Sequence, residues 1–250
     1  IAILVCQCVI RLVRGGRISR SVVCCLRTCT DMGEPPHLHL YRDILSTLER
    51  VNAPYVVIGA FAGSLYGVNR TTFDIDIVAD LDESHILALT EDFPLPRYCA
   101  DPDQMRDSIA RGILFNIIDT SEGRKADLIP LTMEPGYQWA LANRVRRTAR
   151  FPSGESLEIW VARPEDVIIG KLMAWDEGRS PRHESDIRDI LVAVRLGTDA
   201  ELTGMFDRAY IDEWTERVGG DVLAVWEGLK VVAERPTLND RWHPRGPELR

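Results

Sequence analysis

The sequence predicts an α/β protein: a mixed sheet flanked by helices, followed by a helical C-terminal part. Three observations carry this. "FDIDIVAD" (73–80) alternates apolar and acidic residues, the mark of a strand with one buried face. "ILFNIIDT" and "KADLIPLT" are apolar strands separated by "SEGR", a hairpin turn around Gly123, whereas the other strands are separated by helical stretches; a sheet built both ways is mixed. From Pro164 onward the apolar spacing is helical throughout.

Taken in order, "PHLHLYRDILSTLERVN" (36–52) has helical spacing at Leu38, Tyr41, Ile44, Leu45 and Leu48. "APYVVIGA" is a short β-branched strand that runs into glycine. "FAGSLYGV" is small and apolar, a helix packed close against its neighbours. In the Asp-rich strand, Phe73, Ile75 and Ile77 face one side, and Asp74 and Asp76 the other. Residues 82–93 form a helix capped by Asp82. After the hairpin come a helix, "EPGYQWALANR", and a strand, "LEIWVA". Pro164 opens "PEDVIIGKLMAWDEG" with acidic residues in its first turn, and Ser180-Pro181 opens a helix that ends at Gly197. Two further helices cover about 205–218 and 221–234. The expected organisation is an α/β core over 32–162, a helical part over 163–233 packed on it, and a loose tail over 234–250.

Composition bounds the function. The chain of 250 residues is 45% hydrophobic and 27% charged, enough to bury a core without staples. A net charge of −8 argues against a generic nucleic-acid coat protein, and no apolar run is long enough to span a bilayer. Five of the six cysteines lie before residue 30, at spacings unlike those of zinc ligands. Residues 1–31 lack an initial Met and differ in composition from the rest; they read as upstream translation ahead of a start at Met32, and the remainder as a cytoplasmic protein.

Two aspartates side by side on an apolar strand repel each other, and a divalent cation between them relieves that repulsion. Just upstream, Gly59-Ala60 turns from strand to helix, where backbone N–H groups can meet phosphate. A third carboxylate, Asp127, lies in the strand "KADLIPL" and needs a partner. Together these describe a two-metal site for phosphoryl or nucleotidyl transfer. "VVIGAFAGSLYGVNRTTFDIDIV" closely resembles the signature of the polymerase-beta-like nucleotidyltransferase superfamily, and "KADLIPL" resembles its third-carboxylate strand. "RPEDVIIGKLMAW" with "RHESDIRDIL" resembles the C-terminal region of bacterial nucleotidyltransferases related to AbiEii-type toxins.

The resemblance implies a nucleotidyltransferase fold, an NTP substrate and two Mg²⁺ ions held by Asp74, Asp76 and Asp127. It implies nucleotide contacts from Gly59, Ala60, Arg70 and Lys171, with Ser64 and Asp186 counted on the same side; when no nucleotide is bound, Asp74, Asp76 or a helix carboxylate such as Asp186 is the expected partner of Lys171. Ala60 stands where the family has Gly or Ser, and Gly63-Ser64 is a competing register for the turn. The acceptor is an RNA such as tRNA, a protein or a small molecule, and a toxin-type enzyme would have an antitoxin partner. An inactive binding module of the same fold and an aminoglycoside-type enzyme are the rivals. Asp127 has a bland alternative, an ion pair with Lys125 or Arg124. So do His183, Asp186 and Asp189, as a solvated face on which Arg182 pairs with Asp186. "RVRRTAR" (144–150) reads as a solvated strand edge or a polyanion patch, His85 as incidental, and the tryptophans, Trp139 among them, as core.

Overall fold

In the computed structural model of the chain, residues 39–151 and 154–235 are described. The expectations for residues 1–31 and for the tail beyond Arg235 lie outside them. The first helix, α1 (His39–Arg50), buries Leu40, Tyr41, Ile44, Leu45 and Leu48 along one stripe. It leads into β1 (Tyr55–Ile58), α2 (Gly59–Ser64) and β2 (Asp74–Ala79). There follow α3 (Glu83–Asp92), β3 (Tyr98–Cys99), α4 (Pro102–Arg111), β4 (Phe115–Asp119) and β5 (Arg124–Pro130). Next are α5 (Pro135–Ala142), β6 (Val145–Arg150) and β7 (Ser156–Val161). The remainder is helical: α6 (Pro164–Gly178), α7 (Pro181–Leu196), α8 (Ala200–Met205), α9 (Arg208–Val218) and α10 (Gly220–Ala233).

The seven strands form one mixed sheet in the order β3-β4-β5-β2-β1-β7-β6. β2 lies at its centre, antiparallel to β1 and parallel to β5, with Asp76 opposite Ile58 on one side and Asp127 on the other. The predicted hairpin is β4-β5, turning through Gly123 at φ 64°. One apolar core runs from α1 through the sheet to Trp226 of α10, whose indole donates to Asp212 at 2.6 Å. α6 packs on α2, and α7 on α6. Among the described residues no helix is long and apolar enough to cross a membrane.

Several elements depart from expectation. The strand begins at Asp74, so Phe73 lies outside it and is 68% exposed, with the Arg124 guanidinium 5.0 Å from its ring. Trp139 is an exposed residue stacked on Tyr210, not a core tryptophan. His85 is not incidental: it completes a capping box with Asp82, whose N–H donates to His85 Nδ1 at 3.0 Å. β3, α4 and α8 had no counterpart in the sequence reading. The arginine-rich segment forms edge strand β6 and the residue before it, and three of its four arginines are engaged: Arg144 and Arg146 lie over Trp160, Arg146 also pairs with Glu49, and buried Arg147 pairs with Asp199 and Glu201, while Arg150 is exposed.

Candidate active site

Alternation on β2 buries Ile75 and Ile77 completely and leaves Asp74 and Asp76 half-buried on the opposite face. Thr72 Oγ1 donates to Asp74 Oδ1 at 2.7 Å. Asp76 accepts no hydrogen bond from any described residue. Burial first, then the charges of Asp74 and Asp127, push its carboxyl up to about 6. The turn at Gly59 is built against this carboxylate. Gly59 has φ +67°, and a Cβ placed on it would lie 2.1 Å from Asp76 Oδ2, so only glycine admits both the backbone conformation and the contact. The N–H groups of Gly59 and Ala60 open α2 beside it. Ser64 stands at the far end of that helix, exposed, and its hydroxyl donates to Phe61 O at 2.6 Å.

Asp127 is buried on β5, directly beside Asp76. Its Oδ2 accepts from Lys125 Nζ at 2.6 Å and its Oδ1 from the Asn116 amide on β4. The Lys125 ion pair is thus present, and Arg124 instead donates to Thr72 O at 2.7 Å, tying down the loop that leads into β2.

Across the cleft a cationic pair is held by one carboxylate. Asp186 of α7, fully buried, accepts from Arg70 Nε and Nη2 at 2.8 and 2.9 Å, and from Lys171 Nζ of α6 at 2.6 Å. Burial pushes the Asp186 carboxyl up, but the hydrogen bonds from Arg70 and Lys171 outweigh it and hold the group below its ordinary range. Lys171 lies close enough to Asp76 that each favours the charged form of the other. Asp186 makes no ion pair with Arg182, since both its oxygens are taken on the buried face of the helix. His183 beside them is lowered by burial and then by Lys171, and its Nδ1 is buried without a partner. Asp189 pairs with Arg188 instead, at 3.3 Å.

The chain has distant likenesses among solved structures. A nucleotidyltransferase-like protein from Paracoccidioides brasiliensis matches at TM-score 0.39 and 19% identity, over 63% of this chain and 75% of its own. The antibiotic-resistance factor ANT(2'')-Ia matches at 0.40 and 13%, over 78% and 94%, and JHP933 from Helicobacter pylori at 0.38 and 16%, over 79% and 89%. These likenesses assign no residue and no activity to this chain. No protein-family model and no curated protein matches it.

The donor chemistry suits a hard divalent cation, since Asp74, Asp76 and Asp127 are all carboxylates and Asp76 lacks a donor. The number of ligands is a tighter test: among the described residues no three His, Cys, Asp or Glu side chains converge to hold a metal. Sequence reasoning missed two residues here. Asn116 was hidden in an apolar run, although the hairpin register alone sets it opposite Asp127. Tyr137 of α5 sits against the same face; burial first, then Glu134, Asp76 and Glu177, push its phenol above the ordinary value.

Proposed function

We propose that this protein is a nucleotidyltransferase that moves a nucleoside monophosphate from an NTP to a hydroxyl acceptor with the help of Mg²⁺. The observation that supports this best is the contact between the Gly59 turn and Asp76 at the centre of the sheet. Asp74 and Asp76 would hold the cation, with Asp127 beside them, and the cation would supply positive charge to the NTP phosphates. The Gly59 and Ala60 N–H groups, Arg70 and Lys171 meet the remaining phosphate charge. Asp186 acts from behind, fixing Arg70 and Lys171 in place. Asp127 takes the proton of the acceptor hydroxyl. The acceptor oxygen bonds to the α-phosphorus, the bond from that phosphorus to the bridging oxygen breaks, and pyrophosphate leaves with the electron pair.

The resemblance of the helical part to AbiEii-type enzymes supports a toxin-type role with an antitoxin partner and an RNA or protein acceptor. A second reading, a cationic small-molecule acceptor of the aminoglycoside type, is favoured by Glu134 and Glu177 flanking Tyr137, and by the internal pairing that leaves little free charge on β6. Incubation with each α-labelled NTP, Mg²⁺ and a cell extract tests both. Label should move to RNA, protein or small molecule with release of pyrophosphate, and Asp74→Asn with Asp76→Asn should abolish it. NTP binding without any transfer would leave a binding module; no NTP binding would remove the proposal.

A further inference from the structure

Each oxygen of Asp127 already accepts from one donor. The Asn116 amide holds one, and the Lys125 ammonium sits 2.6 Å from the other. Lys125 is two residues upstream on β5, so it projects from the same face as Asp127. The register sets Lys125 opposite Asp74, and Asp76 opposite Asp127, so one ammonium stands among three carboxylates. All three act on it electrostatically, Asp127 most and then Asp74 and Asp76. An ammonium is a compact point charge with three donors, suited to neutralising several oxygens at once.

We infer that the Lys125 ammonium is the resident cation at Asp127, so that this site takes one divalent ion, at Asp74 and Asp76, in place of two. The inference rests on the nucleotidyltransfer reading and refines it. A second divalent ion at Asp127 would have to displace the ammonium from its contact and lie against its charge. For catalysis, Lys125 supplies fixed positive charge beside the acceptor oxygen. A merely structural ion pair predicts something different: loss of Lys125 would alter stability and leave the number of bound ions unchanged.

The test counts ions without relying on turnover. The whole chain is titrated with Mn²⁺ alone, and free Mn²⁺ is read from its electron paramagnetic resonance signal. We expect one ion per chain in the wild type, two in Lys125→Met, and one in Lys125→Arg, which keeps the charge. Lys125→Gln, which keeps a donor to Asp127 without charge, gives the same reading as Lys125→Met should that variant fail to fold. Two ions in the wild type, or the same non-zero count in the wild type and the uncharged variants, overturns the inference alone. No bound Mn²⁺ in any variant overturns the nucleotidyltransfer reading beneath it.

Discussion

Replacing Gly59 with alanine tests the central contact of the site, because the structure provides its own control. Gly59 and Gly123 have nearly the same backbone conformation, φ +67° and +64°, but an added Cβ meets Asp76 at the first and nothing within 4 Å at the second. Gly123→Ala therefore measures the cost of the conformation by itself, about 1 kcal/mol. Gly59→Ala carries the same cost plus the collision. Asp76 cannot escape by swinging one oxygen aside, since its Cγ and Cβ would also lie 3.0 and 3.3 Å from the new methyl. Overpacking of that kind costs about 1–3 kcal/mol more. Urea unfolding should thus place Gly59→Ala roughly 1–3 kcal/mol below Gly123→Ala, with NTP binding lost only in the former. Asp76→Ala in the Gly59→Ala background should recover part of the difference, as a coupled pair must. Equal stabilities for the two glycine variants would refute the close approach of turn and carboxylate.

Asp76 should also leave a mark on the pH dependence of stability measured in a chelator. Its folded value, about 6, lies above the unfolded value near 3.9, so its contribution is fully present below about pH 4 and is lost as pH rises through 6, by roughly 3 kcal/mol; Asp76→Asn should abolish that step. Asp186→Asn should lower stability by about 3–5 kcal/mol in thermal unfolding, because it strands the buried Lys171 ammonium; a change within about 0.5 kcal/mol would mean the pair is not buried in solution. Tyr137→Phe should raise the acceptor KM while leaving NTP affinity and stability near wild type, and an unchanged KM would take Tyr137 out of the acceptor side.

How legible the site was depended on what kind of signal each residue leaves. Asp74 and Asp76 announced themselves because the strand alternates and so sets two like charges side by side on one face of an otherwise apolar segment. The hairpin and the helices opening at Pro164 and Pro181 were carried by turn and cap chemistry that acts locally. α4 was missed although Asp101-Pro102 starts it and Gly112 ends it, because its buried side chains are only Met105 and Ser108, too few to set up a period. Asp186 was paired with the wrong arginine for a different reason. The i,i+4 rule applies to exposed helix faces, and a carboxylate with both oxygens buried takes its partners from other elements, here Arg70 from 116 residues away. Trp139 and Phe73 were misplaced because an aromatic residue in a helix or strand pattern carries no sign of whether anything packs over it. Arginines 144–147 looked free because Trp160, Glu49 and Asp199 are distant in sequence.

The small residues of "GAFAGSLYG" do more than form a turn. Gly63 lies where a Cβ would be 3.4 Å from Lys171 Cε, and Gly67 where one would be 2.6 Å from the Ala193 methyl of α7. α2 and the loop after it are thus the surface on which both α6 and α7 sit, and Arg70 continues from that loop to Asp186. Of the two cations that face the carboxylates, Lys171 is therefore brought by the docking of the helical part, Arg70 comes from the core's own loop and is held by Asp186 of α7, and the same segment that turns at Asp76 admits that docking. An anion binding between the Gly59 turn and the Arg70–Lys171 pair would touch both parts at once. Bound only to the docked arrangement, it would stabilise that arrangement by mass action. The glycines at 59, 63 and 67 thus tie formation of the phosphate-facing wall to closure of the core in a single stretch of chain.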